Sequence, residues 1–257
     1  SPGFRLVGLT DRNELARFTA DAPGQARLIP IAGAGGRILG IDFRVHDRRI
    51  YGLGADHVVY RIDANSGAAQ RVVAAGRALP ADVVAVDYDP KADALRIITA
   101  AGGNFSVAIA TGAVNEDQKL AYAANDRNAG KTPGVTAAAH INTYPGAFAT
   151  QLFEIDSANG NYVVHNPIEA GRLRTVGPLG LPAGTRITAF DIITDRVYEY
   201  WGFAASGRAF YHVDVATGRM TARGEIGIGD RILIDLAIEP KAYPAPPSAD
   251  GTYAQTG

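Results

Sequence analysis

Residues 38–43 (ILGIDF) return four more times in altered form: 83–88 (VVAVDY), 136–141 (TAAAHI), 187–192 (ITAFDI) and 233–238 (LIDLAI). The fifth residue of each copy gives the series Asp42, Asp87, His140, Asp191, Ala237, with spacings of 45, 53, 51 and 46 residues. A period of this length made of short strands is how a β-propeller is written in sequence, since one blade cannot bury its faces alone and must stack on the next. The expectation is an all-β, five-bladed β-propeller formed by residues 1–240 as one domain. The alternative is a six-bladed ring in which residues 114–135 supply further strands.

Each repeat carries its own turn signals. The first runs from ILGIDF through RIYGLG and HVVYRID to a turn at Asn65-Ser66-Gly67. The second and fourth follow the same plan, with turns at Thr111-Gly112 and Thr217-Gly218. Residues 4–32 read as three strands, RLVGLT, ELARFTA and ARLIPIA, broken at residues 11–13 and 22–24, with no inner element of their own. The copy at 233–238 therefore completes that blade from the other end of the chain and leaves no unpaired edge. Two segments break the period: residues 114–135, rich in Asn, Gly and charge at their end, and the hairpin 142–150 (NTYPGAFAT). Both are expected as loops over one and the same face of the ring, where binding groups collect. Residues 241–257 have the Pro, Ala and Ser bias of a solvated tail.

Charge and cysteine content narrow the function. A formal net charge of −1 supplies no field for nucleic acid or an anionic membrane. No run of the sequence approaches the eighteen or so apolar residues of a membrane-spanning helix. Without cysteine there is neither a thiolate nucleophile nor a cysteine metal site. The start at Ser1-Pro2 fits a mature chain whose signal has been removed, so the periplasm or the cell exterior is the expected location. A monomer acting on a small molecule or saccharide is the expected form.

Side chains alternate along a strand, so Asp42, Asp87 and Asp191 share a direction opposite to their apolar neighbours. The residue two before each, Gly40, Ala85 or Ala189, is small and lets inner strands converge on the axis. The hairpin turns place Asp42 across from Tyr51, Asp87 across from Arg96 and Asp191 across from Tyr198. Buried aspartates need partners, and in one reading these contacts are structural. In the other, Asp42, Asp87, Asp191, Arg96 and His140, which stands where an Asp is expected, form an acid/base set at the channel mouth. Tyr51, Tyr122, Asn125, Asp126, Asn128, Asn142, Tyr144 and Tyr198 would line the bound ligand. The run 125–128 is oxygen-rich but lacks the spacing of a twelve-residue calcium loop, and Asx turns explain it as well. No cofactor or metal is expected elsewhere, since the histidines show no metal-ligand pairing, and G-x-S-x-G and G-x-G-x-x-G are both missing.

The motifs GIDFRV with IYGLG, VDYDP with LRIIT, LAYAANDRNAG, HNP with GRLRTVGPLG, and AFDI together resemble a group of bacterial exported proteins gathered as a domain of unknown function. The likeness spans roughly residues 4–239. It implies a propeller exported with a removable signal and emphasises Asp42, Asp87, Arg96, Tyr122, Asp126, Asn128, Asn166 and Asp191, but carries no catalytic assignment. This chain departs from the group in the apolar strand NFSVAIATG and in His140, where an aromatic residue is commoner. The functional expectation is an acid/base lyase or hydrolase, against a non-catalytic ligand-binding or scaffold propeller.

Overall fold

The computed structural model describes residues 3–196 and 199–241, and among these every regular element is a strand. The chain opens with β1 (Arg5–Thr10), β2 (Glu14–Thr19) and β3 (Ala22–Pro30), the outer three strands of the closing blade. Blade 1 follows as β4 (Ile38–Arg44), β5 (Arg49–Gly54), β6 (Val58–Ile62) and β7 (Ala69–Ala74). Blade 2 is β8 (Val83–Asp89), β9 (Ala94–Thr99), β10 (Asn104–Ala108) and β11 (Val114–Glu116). A short β12 (Ala121–Tyr122) precedes blade 3, which is β13 (Val135–His140), β14 (Leu152–Asp156), β15 (Asn161–His165) and β16 (Arg172–Pro178). Blade 4 is β17 (Ala189–Arg196), β18 (Glu199–Ser206), β19 (Ala209–Val213) and β20 (Met220–Glu225), and β21 (Leu233–Ile238) ends the ring.

These strands form five sheets, each an antiparallel meander with the repeated hexapeptide innermost. The inner strands β4, β8, β13, β17 and β21 touch in cyclic order, and β21 pairs antiparallel with β1, Leu6 opposite Ile238. Five blades closed by the C-terminal strand is the architecture that the repeat predicts. The six-bladed alternative fails because residues 114–135 make no sheet of their own. β11 caps blade 2, and β12 joins blade 3 as a fifth strand parallel to β16, with Tyr122 opposite Leu173. The expected break at residues 22–24 is also displaced, since β3 already begins at Ala22.

The core is divided among the five interfaces between blades. One apolar cluster, with Phe4, Phe18, Phe203 and Phe210, joins the closing blade to blade 4. A second, with Leu9, Ile41, Phe43 and Ile62, joins it to blade 1. The blade 1–2 and 3–4 contacts are equally apolar, around Tyr51, Tyr88 and Leu95, and around Tyr162 and Phe190. The blade 2–3 interface is poorer in large side chains, built on Ala85, Ile98, Ala138, Leu152 and Val163. Beside them it buries Arg96, Asn104, Glu154 and His165.

Close approach near the axis depends on Gly40. A Cβ there would lie 2.5 Å from Val86 Cγ2 and 2.8 Å from Asp235 Oδ2, so blades 1 and 2 and the closing blade would all have to give way. Gly40→Ala is expected to lower stability by about 1–3 kcal/mol, the usual range for overpacking a tight core, as read from denaturant unfolding.

Candidate functional site

Five inner strands bring their polar side chains together near the axis, and the bonds these make follow one rule. A side chain of one blade accepts the backbone N–H of the next blade's inner strand. Asp42 Oδ2 accepts from Tyr88 at 2.7 Å, Asp87 Oδ2 from His140 at 2.7 Å, Asp191 Oδ2 from Ile238 at 2.6 Å and Asp235 Oδ2 from Ile41 at 2.8 Å. Inner strands of different blades share no ladder, so their facing N–H groups need such acceptors. Three of these acids use the other oxygen on their own strand: Phe43 N–H donates to Asp42, Ile192 N–H to Asp191 and Leu236 N–H to Asp235.

Blade 3 has no aspartate for this task. There the bracket is a reciprocal threonine pair, Thr143 N–H to Thr194 Oγ1 at 3.1 Å and Thr194 N–H to Thr143 Oγ1 at 2.9 Å. His140 turns back toward blade 2 instead, with Nδ1 2.7 Å from the same Asp87 oxygen that accepts its backbone N–H.

The axis is closed to solvent. Asp42, Asp87, Asp191 and His140 are 6, 3, 3 and 1% exposed. Burial pushes Asp42 up to about 7, the N–H bonds from Tyr88 and Phe43 only partly opposing it. Asp87 is raised well above the usual carboxylate range by burial and by the charges of Asp42 and Asp191. Asp191 and Asp235 are raised by the same cause, burial first. His140 is pulled down to about 4 by burial, against the attraction of Asp89. Burial thus works against charge on both partners of the Asp87–His140 contact, raising the one and lowering the other. One oxygen each of Asp42, Asp87 and Asp191 lie within 4.8 Å of one another, a hard-oxygen set of the kind a cation accepts.

Two of the expected cross-strand pairs hold in register, Asp42 opposite Tyr51 and Asp87 opposite Arg96. The third does not: Asp191 is opposite Phe203, because the β17–β18 hairpin is longer than its counterparts. Tyr198 lies outside the described residues. Register also fails to make contacts. Arg96 does not pair with Asp87 but reaches outward, its Nη1 2.7 Å from Asp117 Oδ2 and 3.1 Å from Asn104 Oδ1, while Nε has no hydrogen-bond partner. The Tyr51 hydroxyl donates to Asp47, and Tyr51 is buried.

The remaining expected ligand-binding residues fall in two separate places. Asp126 is tied to β16, accepting from Thr175 N–H and Oγ1, both at 2.7 Å, and from Asn128 N–H at 2.9 Å. Asn128 Nδ2 donates to Thr175 Oγ1, and Asn125 Oδ1 accepts from Arg174. The Tyr122 hydroxyl donates to buried Asp156, and burial raises its pKa. This cluster precedes β13. Asn142 and Tyr144 follow it, Asn142 in the left-handed region at φ 59° with Nδ2 bonded to Ala149 O and Oδ1 accepting from Tyr200. The two segments therefore enter at opposite ends of β13, not over one face as the sequence suggested, and no common wall joins them.

Composition alone gave no sign of Thr143, Thr194, Glu154 or His165. His165 Nδ1 sits 2.9 Å from Glu154 Oε1 with both side chains fully buried. Burial lowers the imidazole pKa, but Glu154 and the Ile168 carbonyl more than reverse that and raise it. Glu154 Oε2 has no hydrogen-bond partner among the described residues.

The profile of the family described as a domain of unknown function, DUF4394, matches residues 14–237. The chain belongs to that family. No curated protein matches it significantly. Among solved structures, a Bacteroides thetaiotaomicron protein of unknown function aligns over 93% of this chain and 66% of its own at 14% identity and a TM-score of 0.55. The chain thus spans about two thirds of that structure's length. A chain of a nidogen/laminin complex aligns over 92% of this chain and 98% of its own at 12% identity and a TM-score of 0.50. Likeness at this identity shows the shared fold of the DUF4394 protein and no more.

The brackets and the axial acids can each be tested. Thr143→Val would leave the buried Thr194 N–H without its acceptor and is expected to cost about 1–3 kcal/mol by chemical denaturation. For pH, the folded state keeps axial protons that the unfolded chain releases near pH 4, so this stabilisation is complete at low pH and is lost as pH rises through about 7. Buried neutral His140 acts in the opposite direction only below about 6.5, whereas His165 acts in the same direction as the acids above it. The Tm is expected to fall between pH 6.5 and 8, and Asp42→Asn is expected to make that fall shallower while leaving the His165 contribution in place.

Proposed function

We propose that this DUF4394 protein is an exported, monomeric ligand-binding propeller whose axial carboxylates hold the blades together and turn over no substrate. The observation that carries the reading is that every acid/base candidate on the axis is shut from solvent and already hydrogen-bonded, Asp87 to His140 and the other acids to backbone N–H groups. A general acid or base must come within about 2.6–3.2 Å of a substrate proton, and side chains so enclosed offer no approach. Arg96, engaged with Asp117 away from the axis, adds no transition-state charge there. The lyase or hydrolase alternative has no open constellation to support it. Export rests on the resemblance to exported bacterial proteins. The ligand is a small molecule or saccharide held on the rim, outside the axis, by groups that the rigid ring positions.

The test is to incubate the purified protein with a panel of neutral and acidic oligosaccharides, following thermal shift and analysing the sugars by mass spectrometry. A raised Tm with the sugar recovered intact is expected. Release of a product, abolished by His140→Gln, would overturn the reading. Fractionation of cells expressing the full-length gene is expected to place the protein outside the cytoplasm.

A further inference from the structure

A cavity of about 420 Å3 lies on blade 1, between the tips of its two hairpins. That is within the roughly 300–1,000 Å3 typical of small-ligand clefts. Its walls bring together Arg48 and Arg49 from the β4–β5 hairpin, Arg61 from β6, and Asn65, Ser66 and Gln70 from the β6–β7 side, with buried Phe43 and Ile50 also lining it.

The charges in this cleft do not cancel. The single lining carboxylate, Asp63, accepts the N–H groups of Asn65 and Ser66 through Oδ1, and these bonds hold its pKa below the usual range. Three arginines therefore face one carboxylate that is already shared with its own turn. Arg48 is anchored, its Nε and Nη2 donating to Pro240 O at 3.2 and 2.9 Å, and Arg61 donates to Gln70 Oε1 at 2.6 Å. Arg49 is exposed; its backbone N–H donates to Asp47 Oδ1 at 3.1 Å, while its guanidinium has no hydrogen bond or ion pair among the described residues, and its charge is felt by Asp63. A neighbouring cavity of about 300 Å3 shares Arg48, but its other charges are paired, Arg5 with Glu239 and Lys241 with Asp195. Of these two cavities, the first is the one whose positive charge is left uncompensated.

We infer that this cleft is the binding site of the propeller and that it takes a small acidic sugar, with the anionic group on Arg49 and Arg61 and the hydroxyls on Asn65, Ser66 and Gln70. The inference rests on the ligand-binding reading above and specifies its site and ligand class. Guanidinium forks match carboxylate and sulfate oxygens, amide and hydroxyl groups exchange hydrogen bonds with sugar hydroxyls, and an apolar wall accepts the C–H face of a pyranose ring.

The test is calorimetric titration of the whole protein with tri-galacturonate, a sulfated disaccharide, neutral galactotriose and sodium sulfate. At least one acidic sugar is expected to bind, tenfold or more tightly than galactotriose and sodium sulfate, and more weakly as salt screens the exposed charges. Which of the two binds better identifies the anionic group. Arg49→Ala with Arg61→Ala is expected to weaken binding at least tenfold with the Tm unchanged, since both substitutions lie at the surface. Failure of both acidic sugars to bind, equal binding of galactotriose or sulfate, or unchanged affinity in the double variant would overturn the assignment. If a sugar binds intact yet ignores the double variant, the site is wrong and the ligand-binding reading stands. If a bound sugar is cleaved, that reading falls.

Discussion

The hydrogen bond from a backbone N–H of one inner strand to an axial carboxylate of the preceding blade holds this ring at its centre. A sheet satisfies its own ladder, but the inner strands of neighbouring blades approach at an angle that forbids a ladder between them. Something must accept the N–H groups that meet there, because leaving them buried and bare would cost about 1–3 kcal/mol each. Carboxylates do this well as acceptors and badly as buried charges. The chain settles the conflict by raising their pKa, so that Asp42, Asp87, Asp191 and Asp235 hold protons more readily than free aspartate would. The same chemistry that makes the cluster look catalytic is what makes it structural.

The five interfaces are not equivalent. Four are bracketed by a carboxylate and one by two threonines, and the interface between blades 2 and 3 replaces part of its apolar packing with Arg96, Asn104, Glu154 and His165. Outside the axis a second layer of bonds follows the hairpin tips. Arg44 grips Asp93 with two bonds of 2.7 Å between blades 1 and 2, and Arg48, at the matching position of its own hairpin, reaches back to Pro240 beside the closing strand. Asp93 and Arg48 both sit in the left-handed region, at φ 51° and 57°, as this hairpin geometry requires. The strain there belongs to the turn and is shared by both blades.

Much of the ring was legible in the sequence because its constraint repeats: five copies of one hexapeptide gave the blade count, the inner strands and the closure of β21 on β1. Register followed where hairpin length followed, as for Asp42 and Tyr51, and failed at Asp191, where β17 and β18 run on beyond the expected turn. Contacts were less legible than register. Arg96 is long enough to leave its cross-strand neighbour for Asp117 on the outer edge of the blade, and no rule of alternation reports that choice. Thr143 and Thr194 were invisible because threonine is common in strands and only the pairing makes them special. The cleft on blade 1 was missed for a related reason: its arginines lie in hairpins that read as ordinary turns until they are seen side by side.

The closing blade joins residues 5–10 to residues 233–238, more than two hundred positions apart. During synthesis the first three strands emerge together, yet the neighbour on which β1 must lie leaves the ribosome more than two hundred residues later. Until it arrives, the apolar face built on Leu6, Phe18 and Phe4 and the open edge of β1 both wait for a partner. Two of the central brackets wait with them, since Asp191 meets the N–H of Ile238, and Asp235 that of Ile41, only once that strand has docked. The order of emergence thus makes the ring a late and cooperative event, and exposes the nascent protein to intermolecular strand pairing for as long as the last blade is unmade.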